Sequence, residues 1–250
     1  MPYAQYLSCR GSGDLMSLRK LVIIPAYNEG EAIKATVDAI RSKAPSFDII
    51  VVNDHSSDNT GDVLAANSIP AINLPVNLGI GGAVQAGYIY GVRNDYDLAV
   101  QVDGDGQHDP EYLEILEKAL IEKKADICIG SRFIDKEGFQ STSLRRGGIR
   151  YFTWLIRLLG CKEITDPTSG MRMINRRTME LWAKDYPRDF PEPESCLMAL
   201  KSKLKVVEVP VIMKARQGGR SSIHLLKGAY YMIKVTFALI LEGVRSHDDA

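Results

Sequence analysis

The sequence predicts an α/β fold, a largely parallel mixed sheet with helices on both faces. Two observations carry this: short apolar runs alternate with segments of helical spacing, and each apolar run ends in a polar or glycine-rich loop before the next helix begins. A third fixes the scale. With 250 residues, 45% of them hydrophobic, the chain can bury the core of one domain.

Leu21 to Ile24 reads as the first strand and ends at Pro25; from Glu29 onward, Ile33, Val37 and Ile40 follow at helical spacing. Asp48 to Val52 is a second strand, Asn53 to Asp58 a polar loop and Thr60 to Ala66 a helix. Ala71 to Leu74 is a weaker strand, followed by a glycine-rich turn over Asn77 to Gly82 and a helix from Ala83 to about Arg93. Leu98 to Val102 is a strand, and Asp103 to Asp109 leads through Pro110 into a helix that runs to about Glu122. After Ile127 to Ile129 the alternation weakens. A charged loop spans Asp135 to Arg146, a helix Ile149 to Leu159 and a loop Thr165 to Gly170; a helix around Glu194 to Lys201 precedes a late strand, Val206 to Met213. In such folds ligands bind beyond the carboxyl ends of the strands, so the loops around Asn28, Asp54, Gly79 and Asp103 are expected on one edge.

Composition narrows the function. Lys and Arg number 31, as do Asp and Glu, so no global field recruits nucleic acid, and an anionic partner must meet a local basic patch. Cys9, Cys128, Cys161 and Cys196 lack the spacing of a zinc site or redox pair and read as reduced cytosolic thiols. The first residues lack a secretory signal; residues 1–17 read as a flexible leader, with Met16 an alternative start.

Asp103 and Asp105 stand at alternate positions among glycines, which suits a hard divalent ion that keeps positions open for diphosphate oxygens; an Asp-Gly-Asp segment is otherwise an ordinary turn. Its neighbours decide between the two. Pro25 to Glu29, Asn53 to Asp58, Asp103 to Asp105, Gly130 to Phe133, the Asp166 to Arg172 run (DPTSGMR) and Arg216, Gly219 and Ser221 (R-x-x-G-x-S) together resemble the family 2 glycosyltransferases of GT-A fold. The likeness spans roughly residues 20 to 223, and within the family it is similar to the dolichol-phosphate mannose synthase and polyprenyl-phosphate sugar synthase branch.

The resemblance implies a nucleotide-diphosphate sugar donor, Mg2+ or Mn2+ as cofactor and an inverting transfer. By it Pro25, Tyr27 and Glu29 line the nucleotide pocket, Asp54 accepts from a base imide and Gly79 packs near the nucleotide. Asp103 contacts ribose or sugar, Asp105 holds the metal, and Gln107 completes its shell. Arg132 and Arg216 clamp phosphate, with Ser221 beside them. Each has a plainer reading: Glu29 as a helix-start acid, Asp54 as an Asx turn, the arginines as surface ion pairs. The glycine-rich turn lacks the full spacing of a dinucleotide fingerprint and belongs to the third unit, which argues against NAD.

Glu192 and Glu194 occupy about the place where many family members carry an acidic pair. A hydroxyl acceptor needs such a base, whereas a phosphate acceptor needs none; both acids also suit a helix start. The Thr-Glu-Asp triplet of hydroxyl-directed members is absent, and Ser222 stands where Lys often follows the serine. The acceptor implied is therefore a polyprenyl phosphate, with a hydroxyl of a cell-surface glycan as the alternative. A catalytically silent sugar-nucleotide-binding scaffold is the reading from another class, and the intact Asp103 and Asp105 argue against it.

Phe152, Leu155, Ile156 and Leu159 share a helical face near Arg145, Arg146, Arg150 and Arg157, which fits a helix on an anionic lipid surface or equally a core-facing helix with a solvated basic side. Residues 18–223 then form the GT-A domain and 224–250 an amphipathic helix. Its apolar stretch, Gly228 to Leu241, is shorter than the ~20 residues a span requires, so it is expected to lie in the interface or dock on a small membrane protein. The whole implies a cytoplasmic protein held peripherally at the inner face of the cell membrane. Neither the sugar nor the oligomeric state follows from the sequence.

Overall fold

A computed structural model describes residues 18–135, 143–160, 164–213 and 225–244; side chains are described from 147 in the fifth helix and over 232–241 in the last. The strands are β1 (Lys20–Ala26), β2 (Asp48–Asn53), β3 (Ala71–Asn73), β4 (Leu98–Gln101), β5 (Ile127–Ser131), β6 (Arg172–Asn175) and β7 (Val206–Pro210). The helices are α1 (Ile33–Lys43), α2 (Thr60–Ala66), α3 (Gly79–Arg93), α4 (Tyr112–Glu122), α5 (Ser143–Leu158), α6 (Arg176–Lys184), α7 (Pro191–Lys201) and α8 (Leu225–Val244).

Seven strands form one sheet in the order β3-β2-β1-β4-β6-β5-β7. Every neighbouring pair is parallel except those of β6, which runs antiparallel between β4 and β5. The apolar runs are continuous because the sheet is buried on both faces. Leu21 and Ile23 join Val84 and Tyr88 of α3, Trp182 of α6 and Leu197 of α7 on one face. Val22 and Ile24 meet Ile33, Val37 and Ile40 of α1 and Leu113, Leu116 and Leu120 of α4 on the other.

The structure departs from the sequence reading most at β6 and α6 and at the start of α3, and the late strand ends at Pro210 rather than Met213. β6 and α6 were not expected: β6 begins and ends in polar residues, Arg172 and Asn175, that look unlike a central strand, yet both are buried. Asn175 satisfies itself by capping α6, its Oδ1 accepting from Thr178 N at 3.0 Å, while its Nδ2 donates to Asp126. Next, α3 starts at Gly79 rather than Ala83, because the Asp54 carboxylate receives the first backbone N–H groups and draws the glycines into the helix. Of the two readings left open for α5, the core-facing one is observed: Phe152, Leu155 and Ile156 are buried, whereas Tyr151, Trp154, Leu158 and both Arg150 and Arg157 are exposed.

Helix α8 packs over this region through buried Val235 and Leu239, and Tyr151 Oη lies 3.2 Å from Thr236 Oγ1. Among the described residues no helix is long and apolar enough to cross a membrane.

Candidate active site

The loops at the carboxyl ends of β1 and β2 are tied into one piece. Asp54 N donates to Ala26 O, Asn28 N to Ser56 Oγ and Glu29 N to Thr60 Oγ1, while Asn28 Oδ1 accepts from Ser57 N at 2.8 Å. Asn28 takes a positive φ of 57°, a conformation asparagine tolerates. Pro25 is buried beneath the loop, Glu29 is partly exposed, and Tyr27, 51% exposed, presents its ring to solvent. Asp54 is buried, and its two oxygens accept from Leu78 N at 2.7 Å and Gly79 N at 2.9 Å. Here it caps α3, a bidentate use of the carboxylate that also holds Gly79 at the site edge.

The acidic loop follows β4. Asp103 N donates to His108 Nδ1 at 3.1 Å, so the imidazole presents its Nε2 toward Asp103 Oδ2, 3.7 Å away. Asp105 is buried and its Oδ1 accepts from Gln107 N at 3.0 Å. The Gly104 carbonyl accepts from Thr36 Oγ1, which pins the loop to α1. Asp103 remains open, its side chain 37% exposed. Among the described residues no three His, Cys, Asp or Glu side chains converge into a closed metal cage. One carboxylate and one amide, Asp105 and Gln107, are still a fitting donor set for Mg2+ or Mn2+, which take few protein oxygens when substrate phosphates supply the rest.

The second half of the chain closes on the same edge. Gly170 lies so near that an added Cβ would stand 3.1 Å from Asp103 Oδ1 and from Gln101 Nε2. Its loop is braced by Glu208 of β7, which accepts from the backbone N–H groups of Thr165 and Asp166, and by Ser169 Oγ, which donates to Gly130 O at 2.6 Å. Arg132 is buried, its Nε and Nη2 each 2.7 Å from the oxygens of fully buried Asp166, and Nη2 also donates to Thr168.

At the start of α7, Glu192 is partly exposed and lies within the electrostatic reach of Arg172, Asp103 and the Gln101 amide. Burial pushes its pKa above the ordinary value of 4.5 and the Asp103 charge adds to this, against the opposing pull of Arg172. Glu194 sits two residues further into the first turn, its N–H bonded to Phe190 O. The approach to α7 is packed directly on α3: Gly81 N donates to Arg188 O, and a Cβ at Gly81 would meet Pro187 O at 2.0 Å, which only glycine permits.

The structure thus gathers Pro25, Tyr27, Glu29, Asp54, Gly79, Asp103, Asp105, Gln107 and Glu192 around one edge, while Arg216 and Ser221 lie outside the described residues. Sequence reasoning gave no role to Gln101, His108 or Arg172. Arg172 carried a signal, as the last residue of the Asp166 to Arg172 run (DPTSGMR).

The model of glycosyl transferase family 2 matches residues 21–182. An undecaprenyl-phosphate mannosyltransferase of Micrococcus luteus is 32% identical over 215 residues, 82% of this chain and 88% of that protein. A polyprenol monophosphomannose synthase of Mycolicibacterium smegmatis is 33% identical over 216 residues, covering 82% and 81%. Among solved structures, glucosyl-3-phosphoglycerate synthase of Mycobacterium tuberculosis, in complex with Mn2+, UDP-glucose and phosphoglyceric acid, superposes with a TM-score of 0.70 at 17% identity over 93% of this chain and 82% of that one. That likeness shows the GT-A fold. The chain belongs to the family 2 glycosyltransferases, in the polyprenyl-phosphate sugar synthase branch.

Proposed function

We propose that this glycosyltransferase moves a sugar, with inversion, from a UDP- or GDP-linked donor to a polyprenyl phosphate at the cytoplasmic face of a membrane. The observation that carries the reading is the edge where the loop of Asp103 and Asp105 meets the nucleotide-side loops of Tyr27, Glu29 and Asp54, with Gly170 against Asp103 and Glu192 within the electrostatic reach of Asp103. The names of the two relatives above supply the acceptor class.

In this reading the Tyr27 ring offers a flat surface for the base and Glu29 accepts from ribose or base donors. Asp54, through α3, fixes the wall on which the nucleotide rests, and Asp103 accepts from a ribose or sugar hydroxyl. Asp105 and Gln107 hold Mg2+ or Mn2+, which supplies neutralising charge for the departing diphosphate. Arg216 and Ser221 are assigned to phosphate from their motif; Arg132, bound to Asp166, shapes the acceptor side. Glu192 orients the acceptor: a phosphate monoester already carries an anionic oxygen near neutral pH, with a second pKa of about 6, and needs no base. A hydroxyl acceptor on a glycan is the second reading. The raised pKa of Glu192 favours it, because such a carboxylate is the better base, with Glu194 behind it.

Membrane contact is supported by one surface. Trp154 and Leu158 of α5 and Ile233, Phe237 and Leu241 of α8 are each 58–69% exposed, with Arg150 and Arg157 on the same helix as Trp154. An anionic bilayer suits this mixture, and a small membrane protein is the other candidate for covering it. Neither the donor sugar nor an oligomeric state enters the proposal.

Asp105→Asn separates an enzyme from a scaffold. The expected result is a ~100-fold or greater loss of metal-dependent donor turnover with the fold intact, in line with the weight of electrostatic groups at a leaving group. Turnover equal to the wild type would remove Asp105 from the mechanism; no turnover in either protein, with partner binding retained, would favour the scaffold.

A further inference from the structure

Arg172 is a fully buried cation whose three donating nitrogens all end on neutral oxygens. Nε donates to Ser169 O, Nη1 to Ser195 Oγ and Nη2 to Pro167 O, at 2.6 to 2.7 Å, the Cys196 thiol lies beside them, and among the described residues no carboxylate lies within ion-pair distance. Such a charge is costly to bury and normally has a bonded partner. The oxygens it holds belong to two elements that flank Asp103. Ser169 and Pro167 belong to the loop whose Gly170 abuts the Asp103 carboxylate. Ser195, itself fully buried, passes the contact on, its Oγ donating to Glu192 O at 3.1 Å. One guanidinium therefore fixes the Gly170 loop and the backbone of Glu192 at once.

The surroundings repeat the pattern of polar groups kept at a cost. Tyr88 and Tyr186 are buried with rings 5.3 Å apart and edge-on, near both Arg172 and Glu192, and their hydroxyls interact with each other inside the core. Gln101 Oε1, beside Asp103 and Glu192, is buried and has no hydrogen-bond partner among the described residues. Unsatisfied groups of this kind concentrate where a fold gives up stability for a site.

We infer that Arg172 is a positioning residue of the transfer: through Ser195 and the Gly170 loop it holds the Glu192 carboxylate in register with Asp103. This rests on the glycosyltransferase reading, since it acts on the rate through Glu192. The alternative is a core tie with no effect on turnover beyond its effect on folding.

The test is a double-mutant cycle on the full chain. Ser195→Ala cuts the link at a small buried side chain, Arg172→Lys keeps the charge but loses the fork, and each is made alone and with Glu192→Gln. The expected result is that Ser195→Ala lowers kcat by about tenfold with the donor KM within about twofold, because displacing a positioned group by a fraction of an ångström is enough for such a loss. In the Glu192→Gln background, itself well below wild type, the same change should cost less than about twofold, since coupled residues are not additive. The inference is overturned if Ser195→Ala and Arg172→Lys fold and keep kcat within about twofold of wild type, if their losses multiply with that of Glu192→Gln, or if Glu192→Gln alone has wild-type kcat. Should Arg172→Lys fail to fold, Ser195→Ala decides. Should the wild type make no lipid-linked product, the acceptor reading fails by itself, and the cycle is read on metal-dependent hydrolysis of the donor.

Discussion

Asp166→Asn should destabilise the protein more than any other conservative exchange on the acceptor side. The wild-type carboxylate is 0% exposed and receives Arg132 Nε and Nη2 at 2.7 Å each, Arg132 N at 3.2 Å and Thr168 Oγ1 at 3.1 Å. Asparagine keeps the volume but removes the charge and turns an NH2 toward guanidinium donors, so the buried Arg132 loses the counter-charge of Asp166. Breaking one side of such a pair costs about 3–5 kcal/mol. At roughly 2–4 °C per kcal/mol for a chain of this size, the thermal midpoint should fall by about 6–20 °C. Against a total stability of about 5–15 kcal/mol, that is a large share. The control is Arg132→Met with Asp166→Leu, which removes both charges and should recover part of the loss, because an apolar pair of similar volume carries no desolvation penalty. Midpoints from circular dichroism, with urea unfolding to confirm the order, read the result. A fall below about 3 °C for Asp166→Asn, or a double variant no better than the single, would refute the buried-pair account.

Two further outcomes follow from the site and the surface. Glu192 has a raised pKa, so in the folded protein it holds its proton to higher pH than in the unfolded chain; its contribution to stability is lost as pH rises through and above the ordinary value of 4.5. Glu192→Gln should therefore match or exceed wild-type stability at neutral pH while losing activity, and it should lose the acidic limb of the pH–rate profile that Glu192 causes; a lower midpoint at pH 7 would contradict this. Trp154→Glu combined with Phe237→Glu should reduce the fraction bound to anionic vesicles at least ~10-fold, given ~1.5–3 kcal/mol for burying each apolar side chain. Equal sedimentation with vesicles before and after the substitutions would remove this face from the membrane.

The first half of the sheet was legible because its elements are local: strands buried on both faces read as apolar runs, and α1 and α4 show their stripes at Ile33, Val37, Ile40 and at Leu113, Leu116, Leu120. Thr60–Ala66 was read with its observed bounds. β6 was hidden because its pairing is long-range and antiparallel, and because Arg172 and Asn175 are polar residues that take part of their hydrogen bonding from partners far along the chain, Ser195 and Asp126. The acidic loop could be read from its spacing, but the commitments of its neighbours could not. Asp54 as a cap of α3 and Arg132 as the partner of Asp166 depend on contacts 24 to 34 residues apart. For α5 the periodicity found the right apolar face and left its surroundings open, since a stripe facing lipid and a stripe facing a core have the same spacing. Packing against the domain settles it, with Phe152 and Ile156 inside and Trp154 outside.

The most direct test of the central claim is transfer of labelled sugar from UDP-glucose, UDP-N-acetylglucosamine and GDP-mannose to undecaprenyl phosphate in anionic vesicles, with manganese and a chelator control. The account predicts a lipid-soluble product from one of these donors that disappears on chelation. Donor hydrolysis with no lipid product would contradict the polyprenyl phosphate acceptor and move the assignment to a glycan hydroxyl with Glu192 as its base.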